Sequence, residues 1–191
     1  MAVPPASSST SRLPSTRVLL ICAALAAVQV GIFIVLSPVL VSLPALSPPL
    51  YAVVAGVHSV MIFLAPRITG ARWAASVTAA VAGLVIAAMS PIGLFVALLI
   101  LIPGVLTDVA LSLPARSGRR AATETRYIAG ALAAAIVLFA ISLPAFSAEH
   151  LTGAILFGAA AGRVLGEGLA YVCARALAAS LARAGIRPTA A

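Results

Sequence analysis

Six long apolar stretches follow one another along the chain, separated by short polar or proline-containing segments. Their predicted bounds are about 18–36, 50–65, 73–89, 93–113, 127–143 and 151–182. Runs of this length and continuity are typical of membrane-spanning helices, since about 20 apolar residues cross a bilayer. The pattern therefore predicts an all-α, polytopic membrane protein in which residues 17–186 form a compact bundle of six transmembrane helices.

The composition supports a membrane protein. Of the 191 residues, 63% are hydrophobic and 8% are charged, and the mean hydropathy is +1.19. A soluble domain of this size could not bury so much apolar surface. Residues 1–16 are rich in Ser, Pro and Ala and are predicted to be a disordered cytoplasmic tail, and residues 187–191 a second, short cytoplasmic tail.

A proline-rich segment, residues 37–49, follows the first apolar stretch. It contains Pro38, Pro44, Pro48 and Pro49, and proline in a helix interior removes a backbone hydrogen bond. We therefore expect an apolar loop rather than a helix. At a membrane face such a loop is either a lid over a cavity or a plain interfacial linker, and the sequence leaves both open.

The arginines predict the orientation. All twelve basic residues are arginine, and basic residues concentrate on the cytoplasmic side of membrane proteins. With six spans and the N-terminus inside, every arginine except Arg163 falls at the cytoplasmic side, which predicts an N-in, C-in protein. The all-arginine usage favours a bacterial source, and hence a multi-pass protein of the bacterial cytoplasmic membrane.

The last apolar stretch carries a small residue at every fourth position. The row is Ala154, Gly158, Gly162, Gly166, Ala170, Ala174, Ala178 and Ala182. On a helix this spacing makes a stripe that a neighbouring backbone can approach closely, which is the usual packing surface of helices in lipid. We expect this helix to be central to the bundle.

Charged side chains lie within these apolar stretches. Arg163 and Glu167 are one helical turn apart in the last stretch, and Asp108 is predicted at similar depth in the fourth. Paired charges are how such residues persist in lipid, so the three are expected to form one ion network. That network is either a structural lock between the two helices or the floor of a ligand cavity or a coupling element.

Other polar residues are predicted in the outer half of the bundle, and with Arg163 they are the candidate substrate-binding residues. They are Gln29, Tyr51, His58, Glu149 and His150. His58 is the best single candidate because it lies about two turns below the proline-rich segment.

Motifs for several other functions are absent from the sequence. It has no GxSxG, HExxH or P-loop motif and no Cys/His spacing typical of a metal site. We therefore assign no catalytic residues, no cofactor and no metal. The arginines flank membrane spans, which argues against nucleic acid as a partner.

The layout resembles the S components, the substrate-capturing membrane subunits of energy-coupling-factor (ECF) vitamin transporters. The likeness covers about residues 16–186, with six helices, an inside N-terminus and a first outer loop. Helix 1 carries Ala23, Ala27 and Gly31, similar to the AxxxA face with which S components meet the transmembrane coupling subunit. Further likenesses are the turn at residues 66–72, the 104–108 end of helix 4, and the end of helix 6 at residues 181–185.

The resemblance implies a subunit that captures a vitamin or vitamin precursor, with a thiamine-like pyrimidine as one candidate. Its partners would be the transmembrane coupling (T) subunit and two cytoplasmic ATPases, and it would topple in the membrane to release substrate inside. Two other classes stay open: a small intramembrane enzyme, and a structural or assembly subunit of a membrane complex.

Overall fold

The computed structural model describes residues 15–114, 119–146 and 152–186. Every regular element assigned in these ranges is helical, which confirms the all-α fold class. The helices are α1 (Thr16–Leu46), α2 (Pro48–Ala55), α3 (Val60–Thr69), α4 (Ala74–Met89), α5 (Leu94–Ser112), α6 (Arg119–Ser142) and α7 (Gly153–Arg183). Short 3-10 turns lie at Gly56–Ser59 and Leu143–Ala145.

The expectation of a loop at residues 37–49 is wrong. Helix α1 continues through Pro38 and Pro44 to Leu46. Pro38 has no N–H to give to the carbonyl of Ile34, and the Ser37 hydroxyl donates to that carbonyl instead, at 3.3 Å. Ser and Thr side chains commonly re-satisfy backbone groups freed by proline in membrane helices. The proline-rich segment is therefore mostly an extension of the first helix.

The second predicted span is interrupted. Pro48 and Pro49 occupy the first positions of α2, where a missing N–H costs nothing. The 3-10 turn at Gly56–Ser59 then separates α2 from α3, and His58 lies in this turn. The interruption changes the direction in which His58 projects, which a regular-helix prediction from the sequence does not capture.

Five helical segments of the described residues are long and apolar enough to cross a membrane. They are Thr16–Leu46, Pro48–Thr69, Leu94–Ser112, Thr123–Ser142 and Gly153–Arg183. Helix α4 matches the predicted third span but has 16 residues, about 24 Å at 1.5 Å per residue. Helix α6 begins at Arg119 rather than at the predicted Tyr127.

The helices pack as a closed ring. Helix α1 contacts α4, α4 contacts α5, α5 contacts α6, α6 contacts α7, and α7 contacts the α2–α3 segment, which returns to α1. Alanines supply much of the interior of the ring. Ala75, Ala79 and Ala82 of α4 are each 0% exposed, as is Ile86. Short side chains let the helices approach closely, as small residues do in membrane bundles.

The small-residue stripe of α7 packs against α2. A Cβ built on Gly162 would lie 2.5 Å from the Pro49 carbonyl oxygen, and one on Gly166 would lie 2.6 Å from the Val53 carbonyl oxygen. Neither position has room for a side chain without a backbone shift. The expectation of close packing along this stripe is confirmed, and α2 is the neighbour that approaches it.

Candidate functional site

A cavity of about 300 Å³ lies inside the ring, at the end where the turn between α4 and α5 is found. The C-terminal half of α1, helix α2 and the N-terminal half of α5 form its walls. Most of the described lining residues are apolar. They are Phe33, Leu40, Val41, Ala55, Met89, Pro91, Ile92, Val96, Leu99, Ile100, Pro103 and Leu138. Pockets of this size and character are typical small-molecule sites.

Three of the predicted substrate-binding residues line this cavity together: Tyr51, His58 and Arg163. They come from α2, from the 3-10 turn and from α7, so only the ring of helices brings them to one place. Three serine hydroxyls also line it, from Ser37, Ser59 and Ser90. No pattern in the sequence pointed to these serines, because isolated serines are common in turns and membrane helices.

Gln29 reaches the site through His58. The Gln29 side chain is 0% exposed, and its Nε2 lies 2.9 Å from His58 Nδ1. Gln29 Oε1 and His58 Nε2 are buried without a hydrogen-bond partner among the described residues. The imidazole also packs on Phe33, with ring centroids 5.5 Å apart. The α1 helix thus positions His58 at the cavity wall.

Arg163 and Glu167 form an ion pair at the wall of the cavity. Arg163 Nε lies 3.9 Å from Glu167 Oε1, and the two side chains are 11% and 1% exposed. Neither this Nε nor either Glu167 carboxylate oxygen makes a hydrogen bond within the described residues. Arg163 lines the cavity and Glu167 does not. Of the two charged side chains, it is therefore the cationic Arg163 that faces the cavity.

The expected three-residue network is not formed, because Asp108 lies elsewhere. Asp108 Oδ2 accepts a hydrogen bond from the backbone N–H of Ser76 at 2.7 Å, in the first turn of α4. A carboxylate there satisfies a free N–H of the helix start and complements the helix dipole. Asp108 is five residues beyond Pro103, which lines the cavity, or about 7.5 Å further along α5.

The remaining predicted residues divide into two groups. Glu149 and His150 lie outside the described residues. Ala23, Ala27 and Gly31 lie on the exposed face of α1, and a Cβ built on Gly31 would meet no atom within 4 Å. Within the part of the chain that the structure describes, all three positions are exposed.

One polar cluster was not predicted. Arg67 Nη1 and Nη2 donate to the two carboxylate oxygens of Glu124, each at 3.0 Å, and the Tyr171 hydroxyl donates to Glu124 at 2.6 Å. The Arg67 guanidinium also lies 3.8 Å from the centre of the Tyr127 ring. The cluster joins α3, α6 and α7 at the end of the bundle opposite the cavity. In the sequence, the signal that could have revealed this cluster is the presence of oppositely charged residues at span ends that are both predicted to be cytoplasmic.

The described residues contain no group of three His, Cys, Asp or Glu side chains that could hold a metal ion.

The fold matches a solved structure. A crystal structure of an S-component of an ECF transporter superposes with a TM-score of 0.74, over 90% of this chain and 87% of that chain, at 16% sequence identity. The chain has the S-component fold. The resemblance expected from the sequence is thus confirmed at the level of the fold. No protein-family model matches the sequence, and no curated protein does either.

One wall of the cavity comes from the C-terminal half of α1, which includes most of the segment at 37–49 that was expected to be an outer loop. This segment is helical, and its Ser37, Leu40 and Val41 line the cavity. A proline-containing helix therefore forms this side of the cavity.

Proposed function

We propose that this chain is the substrate-capturing membrane subunit of an ECF-type ABC importer for a vitamin or vitamin precursor. The observation that carries the proposal is a mostly apolar cavity that collects Tyr51, His58 and Arg163 within an S-component fold. High affinity would come from burial of most of the ligand, and specificity from a few polar contacts. Gln29 would act by holding His58, and Glu149 and His150 belong to the proposed set by sequence alone.

The exposed row of small residues on α1 supports an interaction with a helix of a partner protein. Ala23, Ala27 and Gly31 present a face with little side-chain bulk, and such faces allow two helices to pack closely in lipid. We assign this row to contact with the transmembrane coupling subunit, which two cytoplasmic ATPases would drive. The chain itself has no nucleotide-binding motif, so the energy for import must come from those partners.

An N-in, C-in orientation in a bacterial cytoplasmic membrane fits this role. The start of α1 packs near the turn between α3 and α4, through Val18, Cys22, Ala65 and Ala74. Arg72 of that turn would face the cytoplasm and Ile92 of the α4–α5 turn the outside; both are exposed. In intact cells, an impermeant thiol reagent should label a cysteine at 92 and not one at 72.

Capture of a substrate is tested by a substitution that fills the cavity. Ser37 lines it, so Ser37→Trp should fill it, whereas Val35→Trp should not, because Val35 is 75% exposed on the same helix. Small molecules released from the purified proteins are compared by mass spectrometry. We expect one compound to be enriched with the wild type and Val35→Trp and lost with Ser37→Trp. Equal recovery from all three would contradict capture in this cavity.

A further inference from the structure

The described lining of the cavity contains no acidic side chain. Its polar groups are one arginine, one histidine, one tyrosine and three serines. Arg163 can only donate hydrogen bonds, whereas the hydroxyls can donate or accept. The charge facing the cavity is therefore positive, with the counter-charge on Glu167, which is 1% exposed and behind the wall.

His58 adds a second donor. In the observed arrangement the Gln29 amide nitrogen faces His58 Nδ1, and an amide nitrogen only donates. Nδ1 is then the acceptor, so the proton of a neutral imidazole is on Nε2. That Nε2 is buried and has no partner among the described residues. A buried donor without a partner is costly, and a ligand acceptor would satisfy it.

Arg163 has capacity for a further partner. Its ion pair with Glu167 is long, at 3.9 Å, and its Nε makes no hydrogen bond within the described residues. A guanidinium carries five N–H donors and matches the planar fork of a carboxylate. The rest of the lining is hydrocarbon, from residues such as Phe33, Leu99 and Ile100.

We propose that the captured ligand is a small, largely apolar organic acid, bound with its anionic group toward Arg163 and His58 and its apolar body against α1 and α5. This inference rests on the proposed function and names the class of substrate for the same cavity. A ligand with a fixed positive charge, such as a thiazolium, would place that charge beside Arg163 with no described carboxylate in the lining to balance it.

The test uses the small molecules extracted from the purified wild-type chain as the probe. Half of the extract is methylated to block acidic groups, and each half is added back to ligand-stripped protein in a thermal-unfolding assay. We expect the untreated half to raise the Tm and the methylated half to have no effect. Protection by both halves would overturn the acid assignment and leave capture intact. No protection by the untreated half would count against capture itself, and against the inference with it.

Variants of the buried ion pair test where the acidic group of the ligand binds. Arg163→Met together with Glu167→Gln removes both members of the buried pair, so no charge is left unpaired. Glu167→Gln alone keeps the arginine and removes its competing carboxylate. We expect at least a tenfold loss of affinity for the extracted ligand in the double variant and equal or tighter binding in the single variant. Arg183→Met is the control, since Arg183 lies on the same helix and is exposed. Equal affinity in the double variant and the wild type would overturn the role of Arg163.

Discussion

Gln29 Nε2 lies 2.9 Å from His58 Nδ1, and this hydrogen bond joins the middle of α1 to the 3-10 turn between α2 and α3. The Gln29 side chain has no exposed surface, so bulk water does not reach its amide group to replace this partner. Phe33, one turn further along α1, packs on the same imidazole. Two side chains of α1 therefore fix the orientation of the histidine that lines the cavity.

Loss of this hydrogen bond should weaken ligand binding. Gln29→Met keeps the length of the side chain and leaves His58 Nδ1 buried without a partner, which costs about 1–3 kcal/mol. We expect a lower Tm and about a fivefold or larger loss of affinity for the co-purifying ligand, because the imidazole is free to turn. Val28→Met is the matched control, since Val28 is the adjacent residue and 50% exposed. A lower Tm with unchanged affinity would show that the bond only supports packing.

The Arg67–Glu124 pair should stabilise the bundle at the end opposite the cavity. Arg67 is 9% exposed and Glu124 39%, so Glu124→Gln leaves a nearly buried guanidinium without its counter-charge. Removal of one partner of a fully buried pair costs about 3–5 kcal/mol, and the exposure of Glu124 reduces the expected value to about 1–3 kcal/mol.

The measurement is a double-mutant cycle on thermal or denaturant unfolding in detergent. Arg67→Met with Glu124→Gln should recover part of the loss caused by Glu124→Gln alone. Tyr171→Phe removes only the hydroxyl that donates to Glu124 and should cost about 1 kcal/mol. Strictly additive effects of the Arg67 and Glu124 substitutions would argue against a coupled cluster.

The effect on stability of replacing a glycine of α7 should depend on what lies next to that glycine. Gly166→Ala places a Cβ 2.6 Å from the Val53 carbonyl oxygen, so α2 must move, and overpacking of this kind costs about 1–3 kcal/mol. A Cβ on Gly168, two residues away, would meet nothing within 4 Å. Gly168→Ala should therefore be neutral or stabilising, by up to about 1 kcal/mol from helix propensity. Unfolding midpoints of the two variants test this, and a similar drop in both would contradict the close contact between α7 and α2.

The exposed row of α1 should affect assembly and not capture. Ala27→Leu adds bulk to this row, and we expect less of the coupling subunit to co-purify while the isolated chain binds its ligand with unchanged affinity. Val28→Leu adds bulk at an adjacent exposed position that points about 100° away from Ala27 around the helix and should assemble normally. Equal assembly of Ala27→Leu and Val28→Leu would show that this face meets lipid instead.

The pattern of apolar stretches determined the helical membrane fold. Hydrophobic length and helix-period spacing are local properties, so they located most helix ends within a few residues and identified the small-residue stripe of α7. They also pointed to Tyr51, His58 and Arg163, because polar groups in an apolar stretch need a reason to be there. The cavity that joins these three depends on contacts between helices far apart in the chain.

Tertiary structure decided what local rules could not. Proline predicts a break, but the Ser37 hydroxyl takes over the carbonyl that Pro38 leaves free, and α1 continues along the cavity. Depth along a helix suggested that Asp108 joins Arg163 and Glu167, but the start of α4 supplies Asp108 with a nearer partner in Ser76. The Ser37 bond forms within α1 itself, but Asp108 meets Ser76, and this part of α1 becomes a cavity wall, only when the ring of helices closes.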